Sequence, residues 1–129
     1  MNEVEFKDRT KRLALRVIRL VEALPKRQTA EIIGKQLLRC ATSVGANYRA
    51  ACRGKSTADV IHKLSIVEEE ADESLYWMEL LIEAEIIPEP KLSSLMSETN
   101  EIVAMTVGSI KTLRARPIAA SVPNPKSKI

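Results

Sequence analysis

A chain of 129 residues, 45% hydrophobic and 29% charged, has the length and balance of one globular domain. Only 3% aromatic residues and four glycines argue against a β-rich or disordered class. No run approaches the roughly 18 apolar residues of a membrane span, no apolar signal region follows MNEVEFKDRTKR, and a cytoplasmic protein is expected. The net charge of +3 conceals larger imbalances: residues 1–55 carry thirteen Lys/Arg against five Asp/Glu, residues 56–102 two against twelve, and residues 103–129 five against none.

Apolar spacing predicts four helices in chain order, over about residues 4–24, 28–53, 57–87 and 90–115. In the first, Phe6, Leu13, Val17, Leu20 and Leu24 share one stripe, and Pro25 stops it. The second carries Ile33, Leu37, Cys40, Val44 and Ala51 on one face and ends near Gly54, a residue suited to the left-handed turn after a helix. Ser56, with Asp59 three residues on, reads as the cap of a third helix through Val60, Leu64, Val67, Ala71, Leu75, Met78 and Ile82. Pro88 and Pro90 break that pattern, Pro90 suits the first turn of the next helix, and Leu92, Met96, Val103, Val107 and Ile110 continue it. The short connections predict an all-α, antiparallel up-down-up-down four-helix bundle over residues 1–116, and the basic tail 117–129 reads as disordered. Cys40 and Cys52 fall on one helix about 18 Å apart, so two reduced, packed thiols are expected.

Residues outside the core stripes carry the functional expectations. Ile66, Trp77 and Leu80 lie together on a flank of the third helix, a second apolar seam that predicts a subunit interface anchored by Trp77. Gly34, Ala41, Gly45 and Cys52 cluster within about 40° on the second helix and invite a close neighbouring helix. On its other flank Ser43 and Asn47 need polar partners, for which Glu70 and Glu73 are the candidates. Arg9, Arg12, Arg16 and Arg19 step along one flank of the first helix, and Lys35, Arg39, Arg49 and Arg53 stand on the second away from its core stripe. Such rows suit phosphate backbones, with affinity that falls steeply with salt; the alternative is ion pairing with Glu68, Glu69, Glu70, Asp72 and Glu73, within the bundle or between subunits.

Catalytic patterns are not met. His62 lacks the Glu-x-x-His spacing of a di-metal bundle, so no metal or other cofactor is expected on Glu69, Glu70 or Glu73. Ser43, Cys40 and Cys52 have only that one histidine as a base, and the GKS at 54–56 lacks the earlier glycine of a phosphate loop. A small-molecule substrate is therefore not expected.

The stretch RCATSVGANYRAACRGKSTADVIHKLSIVEEEADESLYWMELL, residues 39–81, resembles the signature of bacterial four-helix bundle proteins encoded within intervening sequences of large-subunit (23S) ribosomal RNA genes. That resemblance, which extends over about residues 5–115, implies a bundle that assembles as a homopentameric ring and has no established enzymatic activity. A similar branch, the accessory variability determinant of diversity-generating retroelements, implies a basic ring that binds nucleic acid and a reverse transcriptase. The family supplies no catalytic residues; by analogy Ser43, Asn47, Tyr48, Glu70 and Glu73 are structural. The expectation is a non-enzymatic homo-oligomer contacting RNA, DNA or a nucleic-acid-processing protein through basic surfaces, with a protein-interaction scaffold as the alternative.

Overall fold

The computed structural model describes residues 2–116, so the expectation for the tail lies outside the described residues. Its order is α1 (Glu3–Glu22), α2 (Gln28–Cys52), α3 (Thr57–Glu83), a single 3₁₀ turn (Glu89–Lys91) and α4 (Ser93–Arg114). Among the described residues there is no strand, and no helix is long and apolar enough to cross a membrane.

α1 and α3 start where a side chain satisfies one of the free amides of the first turn. The Asn2 side chain accepts the Glu5 amide at 2.8 Å to open α1. Ser56 accepts the Asp59 amide at 3.1 Å, and Asp59 in turn accepts the Lys55 amide at 3.2 Å, one residue outside the ordinary capping box. The ends differ from the sequence expectation in two places. α3 stops at Glu83 rather than near Ile87, because Ile86 N–H bonds back to Leu81 and Glu85 N–H to Ile82, closing a Schellman turn with Glu85 left-handed at φ 59°. Pro90 falls in the 3₁₀ turn, and α4 begins only at Ser93. Gly54 follows α2 without a positive φ; what requires glycine there is space, since a Cβ would lie 2.6 Å from Val60 Cγ2 and 3.1 Å from the Ala51 carbonyl oxygen.

The contacts give the direction of every helix. Gly34 faces Val21 and Leu24 while Gly45 faces Thr10, so α1 and α2 are antiparallel. Cys40 bonds Glu73 and Gly54 abuts Val60, which makes α2 and α3 antiparallel. Arg9 reaches Glu98 and Met105 whereas Arg16 reaches Ser94, so α4 runs against α1 and hence against α3. One core joins all four helices, built on the fully buried Leu13, Val17, Leu37, Val44, Val60, Leu64, Met78 and Ile102. The closest and most extended backbone approach is between α2 and α3, and α1 and α4 approach each other much less. Charged side chains cross both the α1–α4 seam, at Arg9 and Glu98, and the α2–α3 seam, at Arg39 and Glu73.

Candidate nucleic-acid interface

The cations separate into two groups once their partners are known. On α1, Arg9 is drawn inward: its Nε and Nη2 donate to the two carboxylate oxygens of Glu98 at 2.9 and 2.7 Å, and Nη2 also donates to Glu101 at 3.2 Å. Its side chain is only 15% exposed, and the paired carboxylates hold its pKa above the ordinary arginine value, Glu98 foremost. Glu98 is correspondingly depressed below the usual carboxylate range, chiefly by the hydrogen bonds from Arg9. Arg9 is therefore an α1–α4 clamp, engaged within the bundle and not standing free in the basic row. Arg12 pairs with Asp8 at 2.9 Å in an exposed one-turn ion pair, and Arg16 donates to Ser94 at 3.1 Å. Arg19 is exposed and has no ion pair among the described residues.

On α2, Arg39 is also engaged. It meets Glu73 at 2.7 Å and Glu70 at 3.4 Å, the intramolecular pairing that stood as the alternative to phosphate binding. One oxygen of Glu73 accepts from the Arg39 guanidinium, from the Cys40 thiol at 3.0 Å and from the Trp77 indole N–H at 3.2 Å. These donors, Cys40 first and then Trp77, hold Glu73 below its ordinary pKa. Burial, seconded by Glu73, pushes the Cys40 thiol up to about 12. The ligand atoms of Cys40, Glu70 and Glu73 lie within 4.8 Å of one another, and Arg39 pairs with both carboxylates; the arrangement is a polar tie between α2 and α3. Both cysteines are free and buried, and Cys52, beside Tyr48, is pushed up to about 11, again by burial first.

This tie replaces the partnership expected for Asn47 and Ser43. Cys40 lies level with Glu73, so Asn47, two turns further along α2, lies level with the part of α3 two turns earlier, near Ile66. Its amide donates instead to the Ser43 carbonyl of its own helix at 2.9 Å, and Ser43 is half-buried. No positional pattern within one helix encodes that register. The apolar seam is also partly absorbed: Trp77 packs against the core, stacks edge-on with Tyr76 at 5.1 Å, and is half-buried like Ile66 and Leu80, while Tyr76 is 53% exposed. Tyr48 is buried edge-on to Phe6 at 4.6 Å. The small stripe receives α1: a Cβ at Gly34 would lie 2.9 Å from Leu24 Cδ1, one at Gly45 3.4 Å from Thr10 Oγ1, and Ala41 between them is fully buried.

Lys35 and Arg49 on α2, and Arg53 just after its last residue, are exposed and, like Arg19, make no ion pair among the described residues. Lys35 lines a crevice at the α1–α2 loop end beside Glu22, Glu31 and the exposed Ile32, which tempers its charge. Arg49 instead lines a groove between α1 and α2 with Lys7 and Lys11, two lysines that the arginine rows drew attention away from. Their signal was available as a one-turn pair on the flank of α1 opposite Arg9, but only the α1–α2 register shows that Arg49 joins them.

Among curated proteins there is no match. Among solved structures, a crystal structure from Bacteroides thetaiotaomicron VPI-5482, described as a protein with unknown function from the S23 ribosomal protein family, is similar to this chain at 38% identity. The likeness covers 86% of this chain and 99% of that one, with a TM-score of 0.80. The profile of the family described as 23S rRNA-intervening sequence protein matches residues 2–108, nearly the whole bundle. By sequence and by fold, the chain belongs to the 23S rRNA-intervening sequence protein family.

Proposed function

We propose that the protein is a non-enzymatic, cytoplasmic homo-oligomer, a pentamer by analogy with its family, that contacts RNA through backbone phosphates. The observation that carries this reading is the division of the cations: Arg9 and Arg39 are engaged by carboxylates, whereas Arg19 on α1, Arg49 on α2 and Arg53 at the end of α2 stand exposed without an ion pair among the described residues. Arginines held outward on rigid helices match phosphate geometry, and their contacts release counterions without reading sequence. The family description, which names 23S rRNA, favours RNA as the nucleic acid. With one weak basic face per subunit, a ring multiplies modest contacts into avidity. The half-buried Ile66, Trp77 and Leu80, beside the exposed Tyr76, form the apolar surface assigned to the subunit contact.

A scaffold without nucleic acid is the second reading, favoured by the exposed Glu69, Asp72, Glu79 and Glu83 on α3, none of which is paired among the described residues. Such an acidic face suits a basic protein, including a nucleic-acid-processing one. The purified oligomer distinguishes the two. Its mass is measured with and without ribonuclease, together with any bound nucleic acid. The expected result is a mass above that of one chain with ribonuclease-sensitive RNA attached. A monomer, or an oligomer that neither carries RNA nor retains added structured RNA at low salt, would overturn the proposal.

A further inference from the structure

Resting on the RNA reading, we infer that the outer groove between α1 and α2 seats one stretch of ribose–phosphate backbone and discriminates RNA from DNA through Thr42. The groove has a volume of about 510 Å³ and brings Lys7, Lys11 and Arg49 to one concave surface. Between these cations it is lined by the small Ala14, Gly45 and Ala46. Lys11 and Arg49 have no ion pair among the described residues, while Lys7 is held only loosely by Glu3 at 3.5 Å. The one carboxylate in the groove, Asp8, is engaged with Arg12 at 2.9 Å. The surplus is cationic, and a phosphodiester is the complementary ligand.

Thr42 decides between sugars. Its hydroxyl hydrogen is committed to its own helix, where Oγ1 donates to the Leu38 carbonyl at 2.7 Å. What remains on Thr42 for the groove is an oxygen that can only accept. A phosphate oxygen has no proton to offer it, and neither has deoxyribose. The ribose 2′-hydroxyl does, and it is the group by which proteins tell RNA from DNA at a given site. Lysine and arginine supply attraction to the charge; the threonine oxygen supplies the choice of chain.

The test uses the full chain with a fluorescent RNA hairpin and the DNA hairpin of the same sequence, titrated across a salt series. Wild type is expected to prefer RNA. Lys11→Gln with Arg49→Gln is expected to weaken both ligands and to reduce the salt slope by about 2. Thr42→Val, which keeps the shape, is expected to lower RNA affinity by about two- to tenfold and leave DNA affinity unchanged. If wild type binds neither hairpin at low salt, the RNA reading itself falls, and this inference with it. If wild type binds RNA but the double variant binds equally well, the groove is not the seat, although RNA contact elsewhere survives. If the double variant changes the oligomer mass and not the RNA affinity, the groove holds the acidic face of a neighbouring copy and the inference is wrong. An RNA-to-DNA preference untouched by Thr42→Val overturns the sugar discrimination.

Discussion

Arg9 and Glu98 are joined by two parallel N–H···O bonds of 2.9 and 2.7 Å across the seam between α1 and α4, whose backbones approach each other less than those of the helix pairs adjacent in sequence. A forked, largely covered charge pair adds a directional tie between two helices whose backbones stand comparatively far apart. It also subtracts a cation from the surface, which is why the basic row of α1 cannot be read as a uniform phosphate-binding strip.

Removing Glu98 should therefore cost stability. Glu98→Gln leaves Arg9 with a weaker acceptor, and the loss is about 1–3 kcal/mol, seen as a fall of several degrees in Tm. The pH dependence follows from the depressed carboxylate. A lowered folded pKa contributes stability that is fully present above the unfolded value of about 4.3 and is lost as pH falls through the folded value. In urea titrations the gap between wild type and Glu98→Gln should stand at neutral pH and close in acid. A gap independent of pH would show that the charge of Glu98 is not what matters.

The glycines respond differently to the same substitution. At Gly45 an added Cβ meets Thr10 at 3.4–3.5 Å, ordinary contact, so Gly45→Ala should be neutral or stabilising by up to about 1 kcal/mol through helix propensity. Gly45→Leu must push α1 away and should cost about 1–3 kcal/mol or alter assembly. At Gly54 the added carbon lies 2.6 Å from the stiff Val60 side chain, so even Gly54→Ala should cost about 1–3 kcal/mol. Thermal midpoints and oligomer mass measure all three. Equal midpoints for Gly45→Leu and wild type would contradict the close approach of α1.

Much of this was legible in the sequence, because a helix stripe is a local pattern. The core residues Leu13, Val17, Leu37, Val44, Val60, Leu64 and Met78 stand on their predicted faces and are buried. Gly34 and Gly45 face Leu24, Val21 and Thr10, and Ala41 between them is buried. Partners across helices were not legible. Arg9 meets a residue 89 positions away, and whether Asn47 or Cys40 reaches Glu73 depends on a register that wheel positions within one helix do not carry. The end of α3 was missed for a different reason: a left-handed Glu85 closes it where glycine would be the usual residue.

The thiols give a separate check on the buried polar tie. With Cys40 pushed up to about 12 and Cys52 up to about 11, mainly by burial, both stay protonated and inert in the folded chain. Iodoacetamide at about pH 8 should modify neither at an appreciable rate until the protein is unfolded, when the ordinary value of about 8.5 returns. Above that value the folded state holds more protons than the unfolded state, so stability should decline as pH rises from about 9 towards 12. Rapid alkylation of the native protein, or stability flat over that range, would contradict the described environment.

The most direct test of RNA contact compares two arginines on one helix. Arg39 is tied to Glu70 and Glu73, and Arg49 is unpaired among the described residues. RNA affinity is measured across a salt series for wild type, Arg39→Gln and Arg49→Gln, each first shown to keep the wild-type fold and oligomer mass. The predicted result is a salt slope smaller by about 1 for Arg49→Gln and unchanged for Arg39→Gln. Equal effects from the two arginines, or no dependence on either, would contradict RNA contact through the unpaired cations.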